Sequence, residues 1–557
     1  MVFQRTLAAC AVALATLATV AGCDGGSHFG GEVFRSWNPV NVKEVSGVPV
    51  AAIRSELQPA LSKKPAYATD DQWHHAKKLY AGYQTSPLWL DHDGVIKDRA
   101  DALIDALVNA TTDAIKLDPD LLFDVAINLD SLRVTKQPTA KLLARTDMLL
   151  TTAYAGLGED YFNGQVDPKT MAQSWHIDPQ EDEVDSALVR SLRDKDLPQA
   201  IARMRPADMD YEMLRHKLAD YRKIVAAGGW KPVPGGKALK HGETDDSGRL
   251  QALRTRLQAE GYGTDSAASN VYNASLAAAV ARFQQHHAIG ADSALGTETL
   301  DALNVPATFR LAQIAANLER YRWLPRTMAD KYIKVNVAAF RLEGYENEKK
   351  TIEMKVIVGS DFEGKATPVF SDKMEYVVFR PYWNVTPDIA AKEFFPKYGN
   401  NLPEGYETYT EGGQLRIRQR PGPTNSLGLV KFLFPNDFNI YLHDTPNDNL
   451  FDKDVRAFSH GCIRLEKPAE LAQWVLGWDA DRVHQAMETS PDNRTVTLPK
   501  KLPVFIVYTT AYMRNGQLWF GNDLYHRDDQ LAQAVAEGAM PTAQAVRAIE
   551  ALRKLTS

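Results

Sequence analysis

Cys462 and His443 are the two side chains whose types and setting suit covalent chemistry. The segment Phe458-Ser459-His460-Gly461-Cys462-Ile463-Arg464-Leu465 puts a thiol directly after a glycine turn and before a short apolar run. Glycine there lets the backbone turn sharply and come close to a substrate. The N–H groups of Gly461 and Cys462 are then placed to point at one spot, as an oxyanion site requires. A thiol is only slightly ionised near neutral pH and needs a base. The candidate is His443, in Ile440-Tyr441-Leu442-His443-Asp444-Thr445-Pro446. Strand alternation puts Ile440 and Leu442 on one face, with Tyr441 and His443 on the other. The Asp444 side chain then projects away, so its backbone carbonyl is the expected partner of the imidazole. Arg464 is a fixed positive charge able to bind a carboxylate or favour a thiolate; a structural role paired in the core is the rival reading. Ser459 and His460 are expected to shape the turn. A lone cysteine is by default a small buried hydrophobe, and the residues alone leave nucleophile and inert thiol level. His443, Asp444, His460 and Cys462 match no common zinc spacing, so a zinc site is not expected.

The elements that must position these residues divide the chain into a multidomain α+β protein. Two-residue alternation in Tyr332 to Val337 and Ile352 to Val358, with strands at Tyr376 to Phe379, Ile440 to His443 and Val504 to Tyr508, predicts a mainly β domain over 331–512. Its one clear helix, Pro468 to Leu476, presents Leu471, Ala472, Val475 and Leu476 together. A C-terminal extension follows at 513–557. Before the β domain, residues 306–330 read as a linking helix with Leu311, Ile314 and Leu318 on one side. Residues 247–305 make a small three-helix bundle, with Leu250, Leu253 and Leu257 on the first face and Leu276, Val280 and Phe283 on the second. Residues 46–240 are mainly helical and read as a scaffold. Asp118-Pro119 and Asp167-Pro168 look like helix starts there. His74, His75 and His92 are read as solvated surface histidines rather than a metal site.

The chain has 557 residues, 44% hydrophobic and 24% charged, which excludes wholesale disorder. Net charge is −6, from 64 basic and 70 acidic residues, so nothing points to a nucleic-acid partner. Three cysteines, Cys10, Cys23 and Cys462, cannot make a disulfide framework. A basic start ending in Arg5 and an apolar run from Leu7 to Val20 predict a signal peptide over 1–22, too short for a membrane span. Val20-Ala21-Gly22-Cys23 resembles a bacterial lipoprotein box, which implies lipidation of Cys23; a plain secretory signal is the alternative. Asp24 resembles an inner-membrane retention signal. Residues 23–45 are rich in Gly and Ser at their start and read as a tether.

Fifteen residues separate His443 from Ser459-His460-Gly461-Cys462-Ile463-Arg464. That arrangement resembles the signature of the YkuD-type L,D-transpeptidase family. The likeness runs through Pro381-Tyr382-Trp383-Asn384-Val385-Thr386-Pro387, through Pro421 to Gly428 with Asn425, and on to Lys431-Phe432 and Tyr441. Together with looser matches at Tyr80 to Leu90 and Leu157 to Pro168, it is similar to the large periplasmic YcbB-like members. The 247–305 bundle resembles the peptidoglycan-binding domain type 1, in Leu250-Gln251, Gly261-Tyr262, Phe283-Gln284 and Gly296 to Leu300. Asp292-Ser293 stands where that family usually has Asp-Gly.

The resemblance implies Cys462 as nucleophile and His443 as base, with no metal or organic cofactor needed. Tyr382, Trp383, Asn384, Asn425 and Tyr441 would contact substrate, and a capping segment would fall at about 388–420. It implies peptidoglycan stem peptides as donor and acceptor, a diaminopimelate–diaminopimelate crosslink as product, and capture by carbapenems. L,D-carboxypeptidase activity and attachment of a lipoprotein to the wall share the first half-reaction. A non-catalytic wall-anchoring lipoprotein is the rival from another class. The expected location is the periplasm of a Gram-negative bacterium, with the lipid at Cys23 holding the protein to a membrane.

Overall fold

From Lys331 onward the two-residue apolar period builds a nine-stranded sheet. In spatial order its strands are Ala457–Ser459, Lys349–Gly359, Ile463–Leu465, Leu442–His443, Val430–Leu433, Phe370–Phe379, Arg494–Val507, Lys331–Asn336 and Arg341–Glu346. The last of these also pairs with Lys349–Gly359, so the sheet closes on itself. Ile333, Val335, Val356, Phe432, Leu442 and Ile463 fill its interior with no exposure. The helix Pro468–Leu476 buries Leu471 and Ala472 against the same core and stops at Gly477, in the left-handed region at φ 65°.

The computed structural model describes residues 38–556, apart from 172–173, 179–180, 195, 266–268, 363 and 400. The signal peptide, Cys23 and the tether up to residue 37 lie outside the described residues. Among the described residues, no helix is long and apolar enough to cross a membrane.

The N-terminal helices Val50–Ala60, Asp70–Gly82, Lys97–Ala110, Pro119–Val134 and Ala140–Phe162 enclose a second core. Asp118 caps its helix as Asp-Pro predicts, accepting from the Asp120 and Leu121 amides. Asp167-Pro168 opens only a short 3-10 turn, Pro168–Thr170.

Three expectations for this half are corrected. Val45 is fully buried in the second core, and Glu44–Val45 pairs with Val48–Pro49, so the last residues assigned to the tether belong to the fold. His75 is not solvated. It is buried, with Nε2 2.9 Å from Glu159 and Nδ1 2.7 Å from Asp185, because its place on the helix Asp70–Gly82 turns it into the core. The region 46–240 is not one body either. The helix Met209–Ala226 puts Tyr211, Leu214, Leu218 and Tyr221 into the core of the β domain, and Trp175 bridges to Val369.

The C-terminal residues return to both bodies. The hairpin Ala511–Arg514 and Gln517–Phe520 straddles the boundary expected at 512, since Ala511 and Phe520 belong to the β-domain core. The helix Ala543–Thr556 crosses to the N-terminal half and adds Ala548, Ile549 and Leu552 to its core.

The helix Ala307–Arg322 is more than a one-sided linker. Besides Leu311, Ile314 and Leu318 it buries Arg310, Gln313, Asn317, Glu319, Arg320 and Arg322. Its polar groups reach both the Thr510–Asp528 cluster and the N-terminal half. Arg320 pairs with Asp528 at 2.6 Å, Asn317 donates to Thr510 Oγ1 at 2.9 Å, and Glu319 accepts from the Val166 amide at 2.8 Å.

The bundle is made of helices Ser247–Ala259, Ala274–His286 and Thr297–Leu303 around its own core. It docks through Arg256, whose guanidinium lies 3.7 Å from the Trp230 ring centre, and through His287, 5.2 Å from Phe520. Ser293 holds φ 61°, the left-handed conformation for which glycine is the easy residue.

Candidate active site

The sheet puts Cys462 and His443 on neighbouring strands. Leu442–His443 runs parallel to Ile463–Leu465, with Leu442 opposite Ile463 and His443 opposite Arg464. The Ile463 amide donates to the Tyr441 carbonyl at 3.1 Å, which sets Cys462 at the head of its strand beside Tyr441. The turn before it is held from two sides. Ser459 Oγ donates to the Cys462 carbonyl at 2.5 Å and accepts from the Gly461 amide at 3.2 Å. Gly461 takes φ 114°, and its carbonyl accepts from Thr367 Oγ1 at 2.9 Å. The Gly461 amide is therefore engaged, and of the two N–H groups expected to face an oxyanion the Cys462 amide remains. His460 is exposed on the outside of the turn.

His443 is buried, and its Nδ1 lies 2.6 Å from the Asp444 carbonyl oxygen. A carbonyl only accepts, so Nδ1 carries the proton and Nε2 is the ring's acceptor. The Asp444 carboxylate turns away and accepts from the Leu429 and Thr445 amides, each at 2.7 Å. With that carboxylate committed and His460 outside, the four residues weighed as zinc ligands do not converge. Tyr441 and His443 share one face, with ring centres 5.6 Å apart. The thiol donates to the Asn439 carbonyl at 3.6 Å.

The residues expected to contact substrate divide. Tyr382 is half-buried beneath the Arg418 guanidinium, 4.0 Å from the ring centre. Trp383 and Asn384 form a short strand paired with Gln419 and Arg418 at the root of the capping segment. That segment has a small core of its own, from Val385, Ala390, Phe394 and Ile417. Asn425 is corrected. It is fully buried, donating to the Pro381, Gln419 and Arg420 carbonyls and accepting from the Leu427 amide at 2.7 Å. Its polar atoms hold the base of the cap and are not available to a ligand.

Residues 330–506 match the YkuD family, the L,D-transpeptidase catalytic domain. These residues form a YkuD-family domain. Residues 74–218 match a scaffold domain and 246–303 a peptidoglycan-binding domain, the combination of the multidomain YcbB-like proteins. A Haemophilus influenzae protein named "Putative L,D-transpeptidase" is 31% identical over 243 residues, 39% of this chain and 48% of that protein. The matched region thus spans about half the length of that relative. Among solved structures, the L,D-transpeptidase from Xylanimonas cellulosilytica is 17% identical, covering 50% of this chain and 100% of its own, with a TM-score of 0.17. A fused Zn-dependent amidase/peptidase/peptidoglycan-binding protein from Clostridium acetobutylicum is 15% identical over the same shares, with a TM-score of 0.15.

Burial dominates the electrostatics of this site. It pushes the His443 imidazole down to about 3, reinforced by the Arg464 charge and opposed by the bond to Asp444. Burial also raises the Cys462 thiol, although hydrogen bonds from Tyr441 and the charges of Arg464 and Lys431 pull it down. Burial therefore works against both the imidazolium and the thiolate, the two charged forms an ion pair would need.

Several contributors were not marked as site residues in the sequence. Lys431 lies directly opposite His443 on the other side from Arg464. Thr367 supports Gly461, and Tyr525, from the C-terminal extension, supports Thr367: its hydroxyl accepts from the Thr367 amide at 3.1 Å and donates to the Gly359 carbonyl at 2.6 Å. Lys431 was visible as part of a family match without a role. Nothing local to Thr367 or Tyr525 signals theirs.

Proposed function

We propose that this protein is a cysteine-dependent L,D-transpeptidase acting on peptidoglycan tetrapeptide stems. The observation that carries the reading is the pairing of Cys462, on its glycine turn, with a His443 whose Nε2 is held as the acceptor. Cys462 Sγ attacks the carbonyl at the L-centre of diaminopimelate while His443 Nε2 takes the thiol proton. The Cys462 amide stabilises the developing oxyanion. The C–N bond to the terminal D-Ala breaks, the proton passes from His443 to the departing amine, and a thioester remains. The side-chain amine of a second stem's diaminopimelate then attacks the thioester, again losing its proton to His443. Sulfur leaves as the thiol, and a diaminopimelate–diaminopimelate crosslink results. The bundle supplies a second hold on peptidoglycan, and a lipid at Cys23 would keep the enzyme at a membrane facing the wall.

Purified protein mixed with tetrapeptide muropeptides should release D-Ala and accumulate dimers detectable by mass spectrometry. Cys462→Ala should abolish both. Retained D-Ala release in that variant would sink the nucleophile assignment, and release without dimers would make the protein a carboxypeptidase.

A further inference from the structure

His443 sits between two cations that pair with no carboxylate among the described residues. Lys431 is its antiparallel cross-strand partner and Arg464 its parallel one. Directly opposite residues share a face, so the row reads Lys431, His443, Arg464, with Cys462 two residues before the arginine. Burial disfavours the charged form of both. The Arg464 Nε is buried with no hydrogen-bond partner. The Lys431 ammonium lies 5.8 Å from the Tyr441 ring centre. Asp444, next to His443, has committed its carboxylate to the Leu429 and Thr445 amides, and Glu466, two residues beyond Arg464, is engaged by Lys355.

Among the other buried guanidiniums, Arg256 pairs with Glu260, Arg320 with Asp528 and Arg322 with Glu319, while Arg456 rests on backbone carbonyls. Desolvated charge is unfavourable unless it is paired. A pair of unmatched cations around the reacting sulfur is a site built for an anion that arrives with the substrate.

We propose that this anion is the terminal carboxylate of the donor stem's D-Ala, held by Lys431 together with Arg464, which makes Lys431 a specificity-determining residue. The inference rests on the transpeptidase reading above and deepens it. Chain chemistry selects this carboxylate. Its carbon is three bonds from the scissile carbonyl carbon, whereas the carboxylate on the diaminopimelate side chain is six bonds away. With Sγ against the scissile carbonyl, the nearer group falls beside the cations that flank Cys462. Its charge also offsets the two cations that oppose protonation of His443, so a correctly terminated donor would improve its own base.

The test compares release of the C-terminal residue from tetrapeptide muropeptides with release from the same stems ending in D-alaninamide, using the full chain. Wild type should favour the free acid by at least about tenfold in kcat/KM. Lys431→Met should lose about that factor on the acid and little on the amide, while Lys431→Arg keeps the preference. Lys431→Gln, closer in polarity, serves if the methionine variant does not fold. Equal slowing of both substrates would overturn the inference, because the lysine would then act only through His443 and Cys462. A preference that responds instead to amidation of the diaminopimelate side-chain carboxylate would overturn it too. A wild type that processes no stem at all overturns the catalytic reading as well; an active wild type without discrimination overturns this inference alone.

Discussion

A carboxylate one residue from a catalytic base invites a triad, yet Asp444 orients His443 through its backbone while its side chain ties down the Leu429 amide. Gly428 makes this possible. At φ 60° it lets the chain pass so close to Asp444 that an added Cβ would overlap the carboxyl group. Gly428→Ala should therefore destabilise the domain by at least about 2 kcal/mol, from backbone strain plus overpacking. It should also lower D-Ala release by more than the loss of folded protein explains. Thermal melts beside activity per folded molecule check this. Residue alternation was enough to place Tyr441 and His443 on one face and to select the Asp444 carbonyl, because that period is local. It did not disclose that the Gly461 amide is taken by Ser459, nor that Lys431 completes the row. Those facts depend on a hydroxyl rotamer and on strand register, which no short stretch of sequence specifies.

Among the elements, the C-terminal helix Ala543–Thr556 shows how an extension without motifs can be structural. Its Leu552 has no exposure and sits in the N-terminal core. Leu552→Ala should cost about 2–5 kcal/mol, read as a lower midpoint in urea for the N-terminal half. The catalytic strands, with their separate core, should be affected less. Amphipathic spacing was legible in Leu311, Ile314 and Leu318 of the helix Ala307–Arg322 and in the three bundle helices, so these elements were expected where they occur. The polar residues of Ala307–Arg322 read as a solvent face because a helical period does not distinguish water from a second protein surface. The same limit misread His75, whose neighbours Glu159 and Asp185 lie far along the chain.

At the scale of the whole molecule, one buried acid makes stability depend on pH. The Asp160 carboxyl is pushed up to about 8 by burial and by the charges of Glu319 and Glu159, against a hydrogen bond from Gln72. In the unfolded chain the same group titrates near 4. Its folded pKa is the higher one, so its contribution is complete below about pH 4 and is lost as pH rises to about 8. Melting temperature should therefore fall across that window more in wild type than in Asp160→Asn; parallel curves would show that Asp160 is ionised in the folded protein.

The position of the last helix also bears on how the protein is made. The helix Ala543–Thr556 completes a core begun near Val45, so a chain emerging amino end first cannot finish its first domain until nearly all of it has emerged. Until then Leu103, Leu107 and Leu122 lack part of their cover, while the bundle of residues 247–303 has every helix it needs. Assembly would run from the middle outward, with the oldest domain closing last. Any chain cut short before residue 543 would display an open apolar groove to the machinery that discards unfinished proteins.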